Sequence, residues 1–189
     1  MRIGLTGDIA AGKSSVARIF EKLGAHVIDS DKVVARILSE ENTMEKIMEI
    51  LKMNDSANIK SAIADVIFND DEKREAYLRY LYPLVFQEME KQERNADKGV
   101  FIWEVPLLFE ADWQSEFEKI IFVSAPFDVR KKRWIESGRS LSDFERRNAL
   151  FKESVYKIQA SDFVINNDST IESLRKQVSN IWKDIIKEV

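Results

Sequence analysis

The stretch Gly7-Asp8-Ile9-Ala10-Ala11-Gly12-Lys13-Ser14 lies close to the N-terminus, between a short apolar run and a helical pattern. A glycine, four free positions and Gly-Lys-Ser is the spacing of a P-loop. The glycines let successive backbone N–H groups turn into one concave cradle that holds a polyphosphate. Lys13 is placed to reach the β- and γ-phosphates, and Ser14 to offer a hydroxyl to Mg²⁺. The helix that begins near Gly12 adds the positive end of its dipole at the same point. Such a loop needs a strand before it and a helix after it, which commits the chain to an α/β fold built on a parallel sheet.

The flanks supply both. Arg2 to Thr6, with Ile3 and Leu5, reads as a buried first strand, and Val16, Ile19, Phe20 and Leu23 repeat with helical spacing until Gly24 stops the helix. Ala25 to Asp29 reads as a second strand ending in the acidic pair Asp29 and Asp31. In open α/β sheets ligands gather beyond the carboxyl ends of the strands, so both carboxylates are candidates for the site. Asp31 is the stronger one, as a general base or a group that orients a hydroxyl. The same residues have another use, since Ser30 or Asp31 would serve as the N-cap of a helix carrying Val33, Val34, Ile37 and Leu38. His26, the single histidine, has no cysteine or second histidine near it and makes no metal site.

From Lys32 to about Asp97 the pattern is helical. Met44, Ile47, Met48 and Leu51 form one stripe, and Ile59, Ile63, Val66, Ile67 and Phe68 form another. A long stripe over 72–95 contains Pro83, which predicts a division into two segments. This helical insertion between the second and third strands is where a substrate-binding subdomain fits.

Gly99 to Leu108 is the most continuous apolar run and predicts the buried central strand. Glu104 interrupts it. A buried glutamate is costly unless paired or close to a cation, and this is where a second acidic residue of P-loop enzymes meets Mg²⁺ or its water shell. A salt bridge to a lysine or arginine is the other reading. Trp113, beyond the turn at Pro106, packs either on a substrate or on the sheet.

Lys119 to Ser124 predicts a fourth strand and Asp162 to Ile165 a fifth. Between them runs a basic segment with Arg130, Lys131, Lys132, Arg133, Arg139, Arg146, Arg147 and Lys152, broken near Ser137-Gly138. Two arginine-rich helices that return to the sheet suit a lid over phosphates. Glu136, Asp143 and Glu145 offer counter-charges for a plain solvated face. Arg133 and Arg139 are the preferred phosphate ligands, with Arg147 third. Ile171, Leu174, Val178, Ile181, Ile185 and Ile186 complete a C-terminal amphipathic helix.

Composition narrows the function. The chain has 189 residues, a net charge of −4, no cysteine and 44% hydrophobic residues. That length predicts one domain with elaborations, and the acidic balance argues against a nucleic-acid binder. No apolar run approaches the roughly eighteen residues of a membrane span. Met1-Arg2 leads straight into a strand, so no secretory leader is expected, and a reducing cytoplasm is the expected compartment.

Several strings go further than the P-loop. Gly-Leu-Thr-Gly-Asp-Ile-Ala-Ala-Gly-Lys-Ser-Ser (residues 4–15), Leu-Gly-Ala-His-Val-Ile-Asp-Ser-Asp (23–31), Val-Pro-Leu-Leu-Phe-Glu (105–110) and Asp-Phe-Val-Ile-Asn-Asn-Asp (162–168) together resemble the dephospho-CoA kinase family. The resemblance spans nearly the whole chain in the right order. It implies a P-loop NTPase fold with a five-stranded parallel sheet flanked by helices. Residues 1–31, 98–127 and 157–189 would form the core, 32–97 the helical subdomain for the CoA substrate, and 128–156 the lid.

The implied reaction moves the γ-phosphoryl of ATP to the ribose 3′-hydroxyl of dephospho-CoA. Asp31 would receive or orient the hydroxyl proton. Residues 7–15, from Gly7 to Ser15 with Lys13, would hold the phosphates, Ser14 and Glu104 would serve Mg²⁺, and Arg133 and Arg139 would close from the lid. Asn166 and Asn167 would pass close to adenine. Small molecules are then the partners, with no nucleic acid or membrane, and the oligomeric state stays open.

Three positions depart from the family. Asp8 stands where a second glycine is usual, at one of the free positions. Tyr82-Pro83-Leu84-Val85 has a tyrosine for the family's histidine, and the interval from Arg133 to Arg139 is one or two residues longer. Other small-metabolite kinases share the fold, and a catalytically silent nucleotide-binding protein would carry the same loop. A guanine-specific switch would need Asn-Lys-x-Asp and Asp-x-x-Gly strings, and the chain has neither.

Overall fold

The computed structural model describes residues 1–53, 59–149 and 154–188. In chain order its elements are β1 (Arg2–Gly7), α1 (Lys13–Lys22), β2 (His26–Asp29), α2 (Ser30–Ile37), α3 (Glu41–Leu51), α4 (Ile59–Asn69), α5 (Asp71–Asn95), β3 (Phe101–Glu104), β4 (Lys119–Ser124), α6 (Phe127–Glu136), α7 (Leu141–Asn148), α8 (Ser154–Gln159), β5 (Phe163–Asn166) and α9 (Ile171–Ile185). They group into two compact units, one of Met1–Asp29 with Asn95–Val189 and one of Ser30–Arg94. Lys152 of the basic segment lies outside the described residues.

The first unit is a parallel five-stranded sheet in the order β2-β3-β1-β4-β5. The central strand is therefore β1, and not β3 as the long apolar run suggested. Only Phe101–Glu104 of that run is strand. Val105 still donates to the Leu5 carbonyl (2.9 Å), but Pro106 has no N–H with which to continue the ladder. The run is apolar because β3 is buried along its whole length, as interior strands of parallel sheets are.

Ile3 and Leu5 of β1, Ile121 and Val123 of β4 and Ile165 of β5 share one core with Val16 and Phe20 of α1 and Leu174 and Val178 of α9. These two helices press their apolar stripes on the same sheet, and the Phe20 and Trp182 rings meet at 6.2 Å. Gly24, at φ +106°, ends the first βα unit. The Thr170 hydroxyl caps α9 by accepting from the Ser173 N–H at 3.2 Å. His26 lies flat against Phe101, with ring centroids 5.0 Å apart.

Among its described residues the second unit consists of helices α2 to α5 and the short turns between them. α5 runs unbroken over Asp71–Asn95 with Pro83 inside it, so the expected division into two segments is not found. Proline at this point removes one intrahelical bond. The stripe Tyr77, Leu81, Val85 and Met89 is buried on both sides of it, and that packing outweighs the lost bond. α2 follows β2 without a connecting residue, which places Ser30 and Asp31 within the first helical turn rather than ahead of it. Arg36 of α2 pairs with Glu88 of α5 and draws the Glu88 carboxyl below its ordinary range, chiefly through their hydrogen bond.

Candidate nucleotide site

The loop after β1 is shaped by three left-handed or otherwise restricted positions. Gly7 has φ +152°, and a Cβ there would stand 2.2 Å from the Val123 carbonyl oxygen of β4. Only glycine lets the chain pass that strand so closely. Ala10 and Gly12 have φ of +59° and +97°. Alternation of this kind turns backbone N–H groups inward to form an anion nest. The Asp8 carbonyl accepts from the Ala11 N–H (3.1 Å), and Gly12 is the N-cap of α1.

Side chains from two other segments fasten the loop. Asn167, just past β5, donates its carboxamide N–H to the Ala11 carbonyl at 2.8 Å. A Cβ on Gly12 would come within 2.3 Å of that same nitrogen, so the contact requires glycine. Arg133 of α6 donates Nη1 to the Ala11 carbonyl (3.3 Å) and Nη2 to the Asn167 carbonyl (2.9 Å). Its guanidinium thus joins the P-loop to the end of β5. Neighbouring Asn166 is held through its backbone, where the Gln177 carboxamide both donates and accepts at 2.9 and 3.0 Å.

Lys13 folds back on the loop, donating Nζ to the carbonyls of Gly7 (3.0 Å) and Asp8 (3.1 Å). Exposed Ser14 donates its hydroxyl to Oε1 of Glu104 at 2.8 Å. Glu104 is buried at the carboxyl end of β3, level with Leu5 of β1 on one side and Asp29 of β2 on the other. Ser15 is half-buried, its N–H on the Gly12 carbonyl at 3.0 Å. Asp31 is exposed in the first turn of α2, two residues past the end of β2.

The remaining lid candidates are engaged elsewhere. The Arg139 guanidinium stacks 4.4 Å over the Trp134 ring, and Arg147 lies 5.9 Å over the same ring. Arg146 and Arg147 also grip Asp143 at 3.0 Å each. Burial pushes the Asp143 carboxyl up, but the hydrogen bonds and charges of the two arginines bring it below its ordinary value. Trp134 packs with Ile9, Ala10 and Phe144, so Arg139 stands one ring removed from the crest of the loop. Trp113 is half-buried in the turn after β3.

Arg130 was not singled out from the sequence. It is buried, and it donates to the Ile9 carbonyl (3.4 Å) and to Asn148 Oδ1 (3.0 Å). A signal was there, because Arg130 and Arg133 are three residues apart on one helix and share a face. Lys157 of α8, fully buried and paired with Glu110 at 2.6 Å, gave none.

A strand, a glycine-restricted loop, a helix N-terminus, a lysine and a hydroxyl beside a carboxylate are the parts of which phosphate-binding P-loops are built. The sequence profile of dephospho-CoA kinase matches residues 1–173. The chain belongs to the dephospho-CoA kinase family. A dephospho-CoA kinase of Aquifex aeolicus (strain VF5) is 34% identical over 195 residues, which cover 99% of this chain and 98% of that one. The solved structure of TT1252 from Thermus thermophilus superposes with a TM-score of 0.86 at 26% identity, covering 100% of this chain and 97% of that one. A shikimate kinase from Acinetobacter baumannii, solved in complex with shikimate, shares the fold with a TM-score of 0.56 at 15% identity, over 99% and 93% of the two chains.

As a dephospho-CoA kinase the chain is a phosphotransferase with an alcohol group as acceptor, and its reaction completes coenzyme A biosynthesis. ATP is the phosphoryl donor that such a kinase uses. Among the described residues no helix is long and apolar enough to cross a membrane.

Proposed function

We propose that this chain transfers the γ-phosphoryl of ATP to the ribose 3′-hydroxyl of dephospho-CoA with residues 7–15, Arg133 and Asp31 as its working groups. The observation that supports this reading is the meeting of Arg133, Asn167 and Ala11, which ties a guanidinium to the same loop that carries Lys13. On transfer the bond from Pγ to the β–γ bridging oxygen breaks and the O3′–Pγ bond forms. The hydroxyl proton passes to Asp31 and ADP leaves. A loose transition state of this kind needs positioning and charge neutralisation more than covalent help. Lys13 exchanges its loop carbonyls for phosphate oxygens, and Arg133 neutralises further phosphate charge. Asn166 and Asn167 lie against the adenine end of the nucleotide.

The donor set suits Mg²⁺. Ser14 and Glu104 supply the hard oxygen atoms this ion prefers, and their hydrogen bond keeps them together. Among the described residues no group of three or more His, Cys, Asp or Glu could hold a metal. Mg²⁺ is therefore expected to be held jointly by protein and triphosphate, neutralising the charge that develops on the phosphoryl oxygens. Residues 32–97 serve as the CoA subdomain and 128–156 as the lid, which carries Arg133 and Arg139. A chain without cysteine suits the cytoplasm, where we place the reaction, and its partners are small molecules.

An ADP-release assay with ATP and Mg²⁺, offering dephospho-CoA, adenosine, AMP or shikimate to the wild type and to Asp31→Asn, tests this. Turnover confined to dephospho-CoA and reduced about 10²-fold or more in Asp31→Asn is expected. Full turnover by Asp31→Asn would remove Asp31 from the mechanism, and turnover of another acceptor alone would reassign the substrate.

A further inference from the structure

Asp8 puts a carboxylate in the loop that receives a polyanion, at a position the phosphate cradle leaves free. Its backbone is fully occupied by the loop itself: the N–H donates to the Val123 carbonyl (3.3 Å), and the carbonyl accepts from Ala11 and Lys13. The residue is only 5% exposed. One carboxylate oxygen, Oδ1, accepts from the Ser154 hydroxyl of α8 at 2.7 Å, and the other, Oδ2, lies 3.9 Å from Nε of Arg130. Arg130 is 7% exposed and touches the loop a second time at the Ile9 carbonyl. It is fixed in turn by the Ala125 carbonyl (3.1 Å), by Asn148 and by the Phe127 and Phe144 rings, 5.5 and 5.9 Å away.

Two buried opposite charges on separate elements, both in contact with one loop, have a consequence for that loop's ligand. Leaving either charge buried without the other is costly. The two losses nevertheless act on a polyanion with opposite sign. Without Arg130, the Asp8 carboxylate stands unneutralised beside the cradle and repels phosphate. Without Asp8, the surplus charge is positive and does not.

We propose that Arg130 is a positioning residue of the nucleotide site, which neutralises Asp8 and holds the crest of the loop through the Ile9 carbonyl. The inference rests on the P-loop being the ATP site. ATP affinity measured by titration for the wild type, Arg130→Gln, Asp8→Asn and the double variant tests it, with melting temperatures recorded alongside. Arg130→Gln should weaken ATP binding about tenfold or more relative to the wild type, whereas the same change made on top of Asp8→Asn should cost less than about threefold relative to Asp8→Asn alone. A purely structural role would lower the melting temperature of both single variants without this dependence on Asp8.

ATP binding by Arg130→Gln equal to that of the wild type, or an equal loss when the change is made on top of Asp8→Asn, would overturn the proposal. Should Arg130→Gln be recovered unfolded, Arg130→Lys keeps the charge and should bind ATP within about threefold of the wild type, and tenfold weaker binding by it would overturn the proposal. Failure of the wild type to bind ATP would instead overturn the reading of the P-loop itself.

Discussion

The P-loop and the basic segment over α6 and α7 both carry cations of the kind that bind phosphate, and they fix their residues in different ways. In the loop each position is fixed by the backbone path it must follow. Gly7 must pass the Val123 carbonyl, Gly12 must turn left-handed beside Asn167, and Lys13 and Ser14 follow as the first residues of α1. In the basic segment, between Arg130 and Arg147, the same residue type meets three fates. Arg130 and Arg133 reach the loop, Arg139 stacks on Trp134, and Arg146 and Arg147 pair with Asp143. Charge in a helical segment becomes functional only on the face that packing turns toward the site.

The largest effect expected from this comparison belongs to the loop. Lys13→Ala should reduce kcat/KM in the ADP-release assay by about 10²–10³-fold, the loss typical of a transition-state charge donor. A variant within tenfold of the wild type would break the loop's claim to the phosphates. Glu104→Gln keeps the partner of Ser14 but removes its charge. The Mg²⁺ concentration for half-maximal rate should rise about tenfold, and an unchanged requirement would detach Glu104 from the metal.

The smallest effect lies in the solvated part of the basic segment. Asp143 has a lowered value in the folded chain, so its contribution to stability is present above the unfolded value of about 3.9 and is lost as pH falls through the folded one. Asp143→Asn should lower the melting temperature by about 1–3 °C at pH 7, with the difference shrinking as pH falls through the lowered folded-state value. A larger loss of activity than of stability would give this cluster a role at the site.

Much of the scaffold was legible because it rests on local rules. The loop, the helix from Lys13 to Gly24, the β4 strand from Lys119 and the capped C-terminal helix are written in glycine positions and apolar periods. The order of strands was not, since β1 and β3 are both short apolar runs and only pairing partners distinguish the centre from its neighbour. Pro83 misled for a related reason: a proline signals the loss of one bond, whereas the buried stripe that overrides it is a property of the packed unit.

At the candidate site, residue type and strand position single out Lys13, Ser14 and Glu104, and the structure brings Ser14 and Glu104 together at 2.8 Å. Arg130 and the Asp8–Ser154 contact span well over a hundred residues of sequence, and no local pattern announces them.

The most direct test of the account is to compare Arg133→Gln and Arg139→Gln side by side for kcat/KM toward ATP at saturating dephospho-CoA. Arg133, which touches the loop, should cost about 10²-fold, and Arg139, held on Trp134, less than about fivefold. Equal losses, or a larger loss for Arg139, would contradict the claim that the phosphate site draws its second cation from Arg133.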